Sequence, residues 1–82
     1  MVSIKIEVDY DKPEEIVRSI EVDNVDVPEG MRISSKEDAN KAIIMIEMDV
    51  KEPKELMTMR NTADEIMRHV DVVVRTMRGL NI

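Results

Sequence analysis

Apolar and polar residues alternate from the start of the chain: Val2, Ile4, Ile6 and Val8 are interleaved with Ser3, Lys5, Glu7 and Asp9. A two-residue period places the apolar set on one face and predicts a strand buried on one side only. Asp11 then stands where it can cap a helix, Pro13 suits its first turn, and Glu14 and Glu15 suit its positive end. Ile16, Val17 and Ile20 give that helix an apolar stripe, and it is expected to end near Val22 to Asn24. The connector from Asn24 holds Pro28, which fixes φ, and Gly30, which permits positive φ. Met31 to Ser35 predicts a second, weaker strand, Lys36 to Asn40 a polar turn, and Lys41 to Val50 a third strand.

The third strand is the most apolar segment. Ala42, Ile44, Ile46, Met48 and Val50 share the expected core face, while Lys41, Ile43, Met45, Glu47 and Asp49 share the other. Ile43 and Met45 therefore sit where a one-sided sheet would be polar, and they mark a candidate dimer face. Pro53 opens a second helix that is expected to run to Met77 and to be stopped by Gly79. At about 100° per residue, Leu56, Met59, Ala63, Ile66, Met67, Val70, Val73, Val74 and Met77 fall in one arc of roughly 120°. Arg60, Asp64, Asp71 and Arg78 flank that arc, and Met57 and Val72 lie outside it. The predicted fold is α+β, a single βαββα domain over residues 1–82: a three-stranded antiparallel sheet with two helices on one face. Three strands leave two open edges, which makes dimerisation a physical expectation.

Composition narrows what such a domain is expected to do. At 82 residues, with no Phe, Trp or Cys, one Tyr and eight Met, the core is aliphatic and thioether. Without cysteine there are no disulfides and no thiolate chemistry, which fits a reducing compartment. No apolar run resembles a signal peptide or membrane span, so a soluble protein of the cytoplasm is expected. The net charge of −6 disfavours autonomous binding to polyanions. That charge is uneven: residues 1–41 carry six Lys/Arg against eleven Asp/Glu, whereas after Ile66 only Arg68, Asp71, Arg75 and Arg78 are charged.

No catalytic constellation emerges. The pairs Asp9 with Asp11, Glu14 with Glu15 and Asp23 with Asp26 lack the length and the fixed Gly of a calcium loop, and read as solvated acids. His69 is the single imidazole, lies off the apolar arc and has no second His or Cys, so it reads as a surface histidine. Ser3, Ser34, Ser35 and Thr58 have no nucleophile context. Two glycines cannot build a phosphate-cradling loop or a KH clamp, and one Tyr cannot build an RRM or OB platform. No catalytic residue, cofactor or metal is expected, and the chain is expected not to be an enzyme.

Residues 58–66, Thr-Met-Arg-Asn-Thr-Ala-Asp-Glu-Ile, followed by residues 69–77, His-Val-Asp-Val-Val-Val-Arg-Thr-Met, resemble the C-terminal helix of the Pcc family. Ser19-Ile20, Asp23-Asn24, Val27-Pro28-Glu29-Gly30 and Ile43 to Glu47 match further pieces in the family's order. Members of that family are the small subunits of the KEOPS (EKC) complex and resemble the LAGE group. The resemblance implies a βαββα subunit that homodimerises and bridges two copies of the transferase subunit that makes threonylcarbamoyladenosine in tRNA. It implies that catalytic metal and nucleotide belong to other subunits, and it carries a partner or tRNA contact over to Arg60 alone.

Read from the residues, Arg60, Asp64, Met57, Val72, Arg68, Arg75 and Arg78 are the candidate partner or tRNA contacts, with an ion pair from Arg60 to Asp64 as the plain alternative for those two. The competing functional reading is a freestanding RNA-binding or ferredoxin-like adaptor, since βαββα is one strand short of βαββαβ. Only Leu80, Asn81 and Ile82 follow Gly79, too few for that strand.

Overall fold

The alternating N-terminal segment forms strand β1, Val2–Asp9, in the computed structural model, which describes residues 1–23 and 27–80. Helix α1 follows at Pro13–Asp23, then strands β2, Met31–Asp38, and β3, Lys41–Met48, and helix α2, Pro53–Leu80. The architecture is α+β in the order βαββα. β3 is the centre of one antiparallel sheet ordered β1-β3-β2, so the two outer strands run parallel to each other. Asn24 and Asp26 of the expected connector, the pairing of Asp23 with Asp26, and Asn81 and Ile82 lie outside the described residues and side chains.

The register explains which face became core. Ile46 pairs with Ile4 on one side and Ile33 on the other, and Ile44 pairs with Ile6 and Ser35. Ala42, Ile44 and Ile46 are wholly buried beneath α1 and α2, together with Ile16, Ile20 and Met59. The one aromatic residue, Tyr10, is buried in the same cluster, and its N–H donates to the Asn40 carbonyl at 3.0 Å. This tie holds the end of β1 to the turn between β2 and β3.

Several boundaries differ from expectation, each for a local reason. β2 continues through Lys36, Glu37 and Asp38 because its backbone pairs with β3 while those exposed side chains face solvent, leaving only Ala39 and Asn40 as the turn. β3 stops at Met48 rather than Val50, because Met48 already pairs with the first residues of both neighbours, Val2 and Met31. α1 begins at Pro13 with Lys12 as the flanking residue, whose carbonyl accepts the Glu15 N–H at 3.1 Å, so Asp11 stands one position too early to cap. α2 passes through Gly79 to Leu80, since Gly79 does not adopt the positive φ of a helix-ending glycine. Gly30 does, with φ 80°, and closes a turn in which the Met31 N–H donates to the Pro28 carbonyl at 3.1 Å. Positive φ at the third position is what a type II turn requires.

α2 is the dominant element. Its 28 residues span about 42 Å at 1.5 Å each, against about 26 Å for an eight-residue strand. The molecule accordingly measures 47 × 21 × 18 Å. Its long axis is that of a helix that overruns its sheet.

Candidate functional site

α2 begins with a built start. Pro53 takes the first helical position, where its missing N–H costs nothing. The Glu55 carboxylate reaches back to accept the N–H groups of Glu52 at 3.0 Å and Lys51 at 3.1 Å, the return half of a capping box. From that start, Met59, Ala63, Ile66 and Val70 are buried at spacings of four, three and four, and Val73, Val74 and Met77 are half-buried. The core seam is thus narrower than the expected arc. Leu56, 48% exposed, and Met67, 53% exposed, belong to the arc by angle but stand outside the packed seam, at its border with the charged flank.

α1 covers the opposite flank of α2. His69, expected at the surface, is half-buried there, and its Nε2 shares a hydrogen bond with the Ser19 hydroxyl of α1. Off-arc position along a helix indicates solvent only when one neighbour packs on it, and α2 has two. Above this contact the two helices leave a furrow lined by Glu15, Arg18 and Ser19 of α1 and by Val72, Val73, Thr76 and Met77 of α2. Its α2 wall is mostly apolar, and Val72 is 61% exposed upon it. Below the contact a more polar hollow is bounded by Ile20, Ile33, Thr58, Asn61, Thr62, Glu65 and His69. The hydroxyls of Thr58 and Thr62 are spent within the helix, donating to the carbonyls of Lys54 at 3.2 Å and Thr58 at 2.9 Å.

The candidate contact residues do not form one patch. Arg60, Asp64, Met67, Asp71 and Arg78 share the flank away from α1, where Arg78 borders a depression with Asp9, Tyr10 and Asp11. Met57, Arg68 and Arg75 lie on the outermost ridge of α2, and Val72 belongs to the furrow beside α1. The anticipated pair of Arg60 with Asp64 does not form. Asp71 pairs instead with Arg75 at 3.1 Å, so among the described residues Arg60, Arg68 and Arg78 are the α2 arginines without an ion pair.

On the helix-free face of the sheet, Ile43 is only 7% exposed and Met45 is half-buried, with Lys5, Glu7, Ser34 and Lys36 standing opposite them in the ladder. Ile43 is therefore already enclosed within one chain. Glu7 binds Lys5 at 3.0 Å and Lys41 at 3.6 Å. The hydrogen bond and charge of Lys5, with the charge of Lys41, hold the Glu7 carboxyl below its ordinary value. Among the described residues no group of three His, Asp or Glu converges as metal ligands, and no helix is long and apolar enough to cross a membrane.

No protein-family model matches this chain, and no curated protein matches its sequence.

Proposed function

We propose that the chain is a non-catalytic docking and dimerisation subunit of a KEOPS-type complex, the assembly that makes threonylcarbamoyladenosine in tRNA. In this reading the furrow between α1 and α2 receives apolar helical surface of the transferase subunit. The observation that carries it is Val72, a branched apolar side chain 61% exposed in the outer half of a two-helix layer, beside half-buried Val73 and Met77. Two helices that already present an apolar furrow accept further helix by the same ridge-and-groove packing that joins them to each other. The likeness of residues 58–66 and 69–77 to the Pcc-family helix supports the same assignment. Arg60, Arg68 and Arg78 supply positive charge for tRNA once a partner provides further surface, and that contribution falls steeply with salt.

Co-expression with the transferase subunit tests the reading, with Val72→Asp as the probe. The substitution buries no charge in the isolated chain, so its melting temperature stays within about 2 °C of the parent. Capture of the transferase subunit is expected to fall at least about tenfold, as for a charge placed at a desolvated contact. Undiminished capture by the folded variant removes the furrow from the interface.

A further inference from the structure

The polar residues of α2 beside α1 are themselves ordered. Thr58, Thr62, Glu65 and His69 recur at spacings of four, three and four, the cadence of the buried seam Met59, Ala63, Ile66 and Val70, one residue ahead of it. A shift of one residue turns a helical stripe by about 100°. This second stripe therefore runs beside the seam, along the lower hollow rather than into the core. The hollow has a volume of about 360 Å3, within the ~300–1,000 Å3 of small-ligand sites. Its opposite wall is aliphatic: Ile20 of α1, Ile33 of β2, and Val27 and Pro28 on the approach to β2. Ile20 is buried and the other three are half-buried.

The polar wall is rich in acceptors. The Thr58 and Thr62 hydroxyls donate to carbonyls of their own helix, at 3.2 and 2.9 Å, and keep only lone pairs for anything else. The Glu65 carboxylate accepts only, and among the described residues it makes no ion pair. Asn61, one turn before Glu65, adds an amide with both a carbonyl and an NH2 group. His69 Nε2 is engaged with Ser19. Among the described residues no Lys or Arg lines the hollow. A negative wall of acceptors thus faces an apolar one.

We propose that this hollow binds a primary ammonium group carried on a straight aliphatic stem, the ammonium against Glu65 and Asn61 and the stem along Ile20, Ile33 and Val27. An ammonium has three donors and no acceptor, the complement of the α2 wall. Its methylenes cover the aliphatic wall as lysine stems cover apolar surface elsewhere. An anion is opposed by Glu65, and a neutral alcohol leaves that carboxylate without a countercharge. The same chemistry reaches a protein as a lysine side chain or as a free aliphatic diamine. The hollow and the furrow lie on opposite sides of the contact between His69 and Ser19, so the proposal stands apart from docking of the transferase subunit.

Titration of the whole chain with n-hexylammonium, followed by amide chemical shifts, tests it. Saturable shifts centred on Asn61, Thr62, Glu65 and Ile33 are expected, with 1-hexanol at least about fivefold weaker and hexanoate inert. From butylammonium to hexylammonium the dissociation constant is expected to fall about threefold per methylene, the signature of a stem that leaves water. Glu65→Gln is expected to weaken hexylammonium about fivefold or more, and Asp64→Asn, an equal change of net charge on the far flank, by less than about twofold. Both positions are exposed, so each variant keeps its fold, which its melting temperature checks. Two further ligands separate the sources. Tighter binding of Nα-acetyl-lysine methylamide than of 1,5-diaminopentane assigns the stem to a protein side chain, and the reverse to a free diamine. Shifts spread over the acids of β1 and α1, equal weakening by both variants, or indifference to stem length is diffuse attraction to an acidic chain and overturns the site. Absence of saturable binding by the folded chain overturns it as well.

Discussion

Ala39 occupies the first of the two turn residues between β2 and β3 with φ 56°, a left-handed conformation for a residue that bears a Cβ. That conformation costs an L-residue about 1–2 kcal/mol, part of which glycine returns as chain entropy in the unfolded state. Ala39→Gly is therefore expected to stabilise the fold by about 1 kcal/mol, read as a rise of roughly 4–8 °C in melting temperature. Glu7 gives a pH-dependent counterpart. Its folded-state carboxyl titrates below the ordinary glutamate value, so its contribution is present above that value and is lost as the pH falls through the depressed one. Glu7→Gln is expected to lower the melting temperature slightly near neutral pH, and the difference from the parent is expected to vanish in acid and to shrink in salt. Neither effect is legible from residue types alone. Ala39 carries no turn signature of its own, so the two-residue turn could not be separated from the polar run around it. The ties of Glu7 to Lys41 exist only once β1 lies beside β3.

Among the elements, the period-two pattern of β1 and the Pro-led starts of both helices were legible because each is a local consequence of side-chain placement. The limits of β2 and β3 were not, because they are set by where a partner strand ends rather than by the strand's own residues. For α2 the spacing of Met59, Ala63, Ile66 and Val70 identified the buried seam, yet one helical wheel could not reveal that α1 would enclose His69 on its flank. The same limit applies to the candidate contacts: helical angle set Arg60, Asp64 and Arg78 on one flank and left Met57 and Val72 off the arc, but it could not reveal that α1 makes a furrow beside Val72. The start of α2 gives a prediction at this scale. Glu55→Ala frees two backbone donors that its carboxylate accepts, and is expected to cost about 1 kcal/mol while lowering amide protection in the first turn more than in the core seam. Uniform loss of protection throughout the helix would show that the reach-back does not anchor this end.

As a whole, the molecule is a small sheet carrying an overlong helix. Its radius of gyration, 13.4 Å, exceeds the roughly 12 Å expected of a compact chain of this length. Total stability for 82 residues is on the order of 4–12 kcal/mol, and the core that supplies it leaves an apolar furrow on one side of α2 and an apolar sheet edge on the other. Under the proposed function, a dimer presents two such furrows to two transferase subunits. The most direct measurement is the mass of the purified complex by size-exclusion chromatography with light scattering, for the chain co-expressed with the transferase subunit. The account predicts a single species holding two copies of each, dispersed by Val72→Asp. Separate elution of two folded proteins would contradict it.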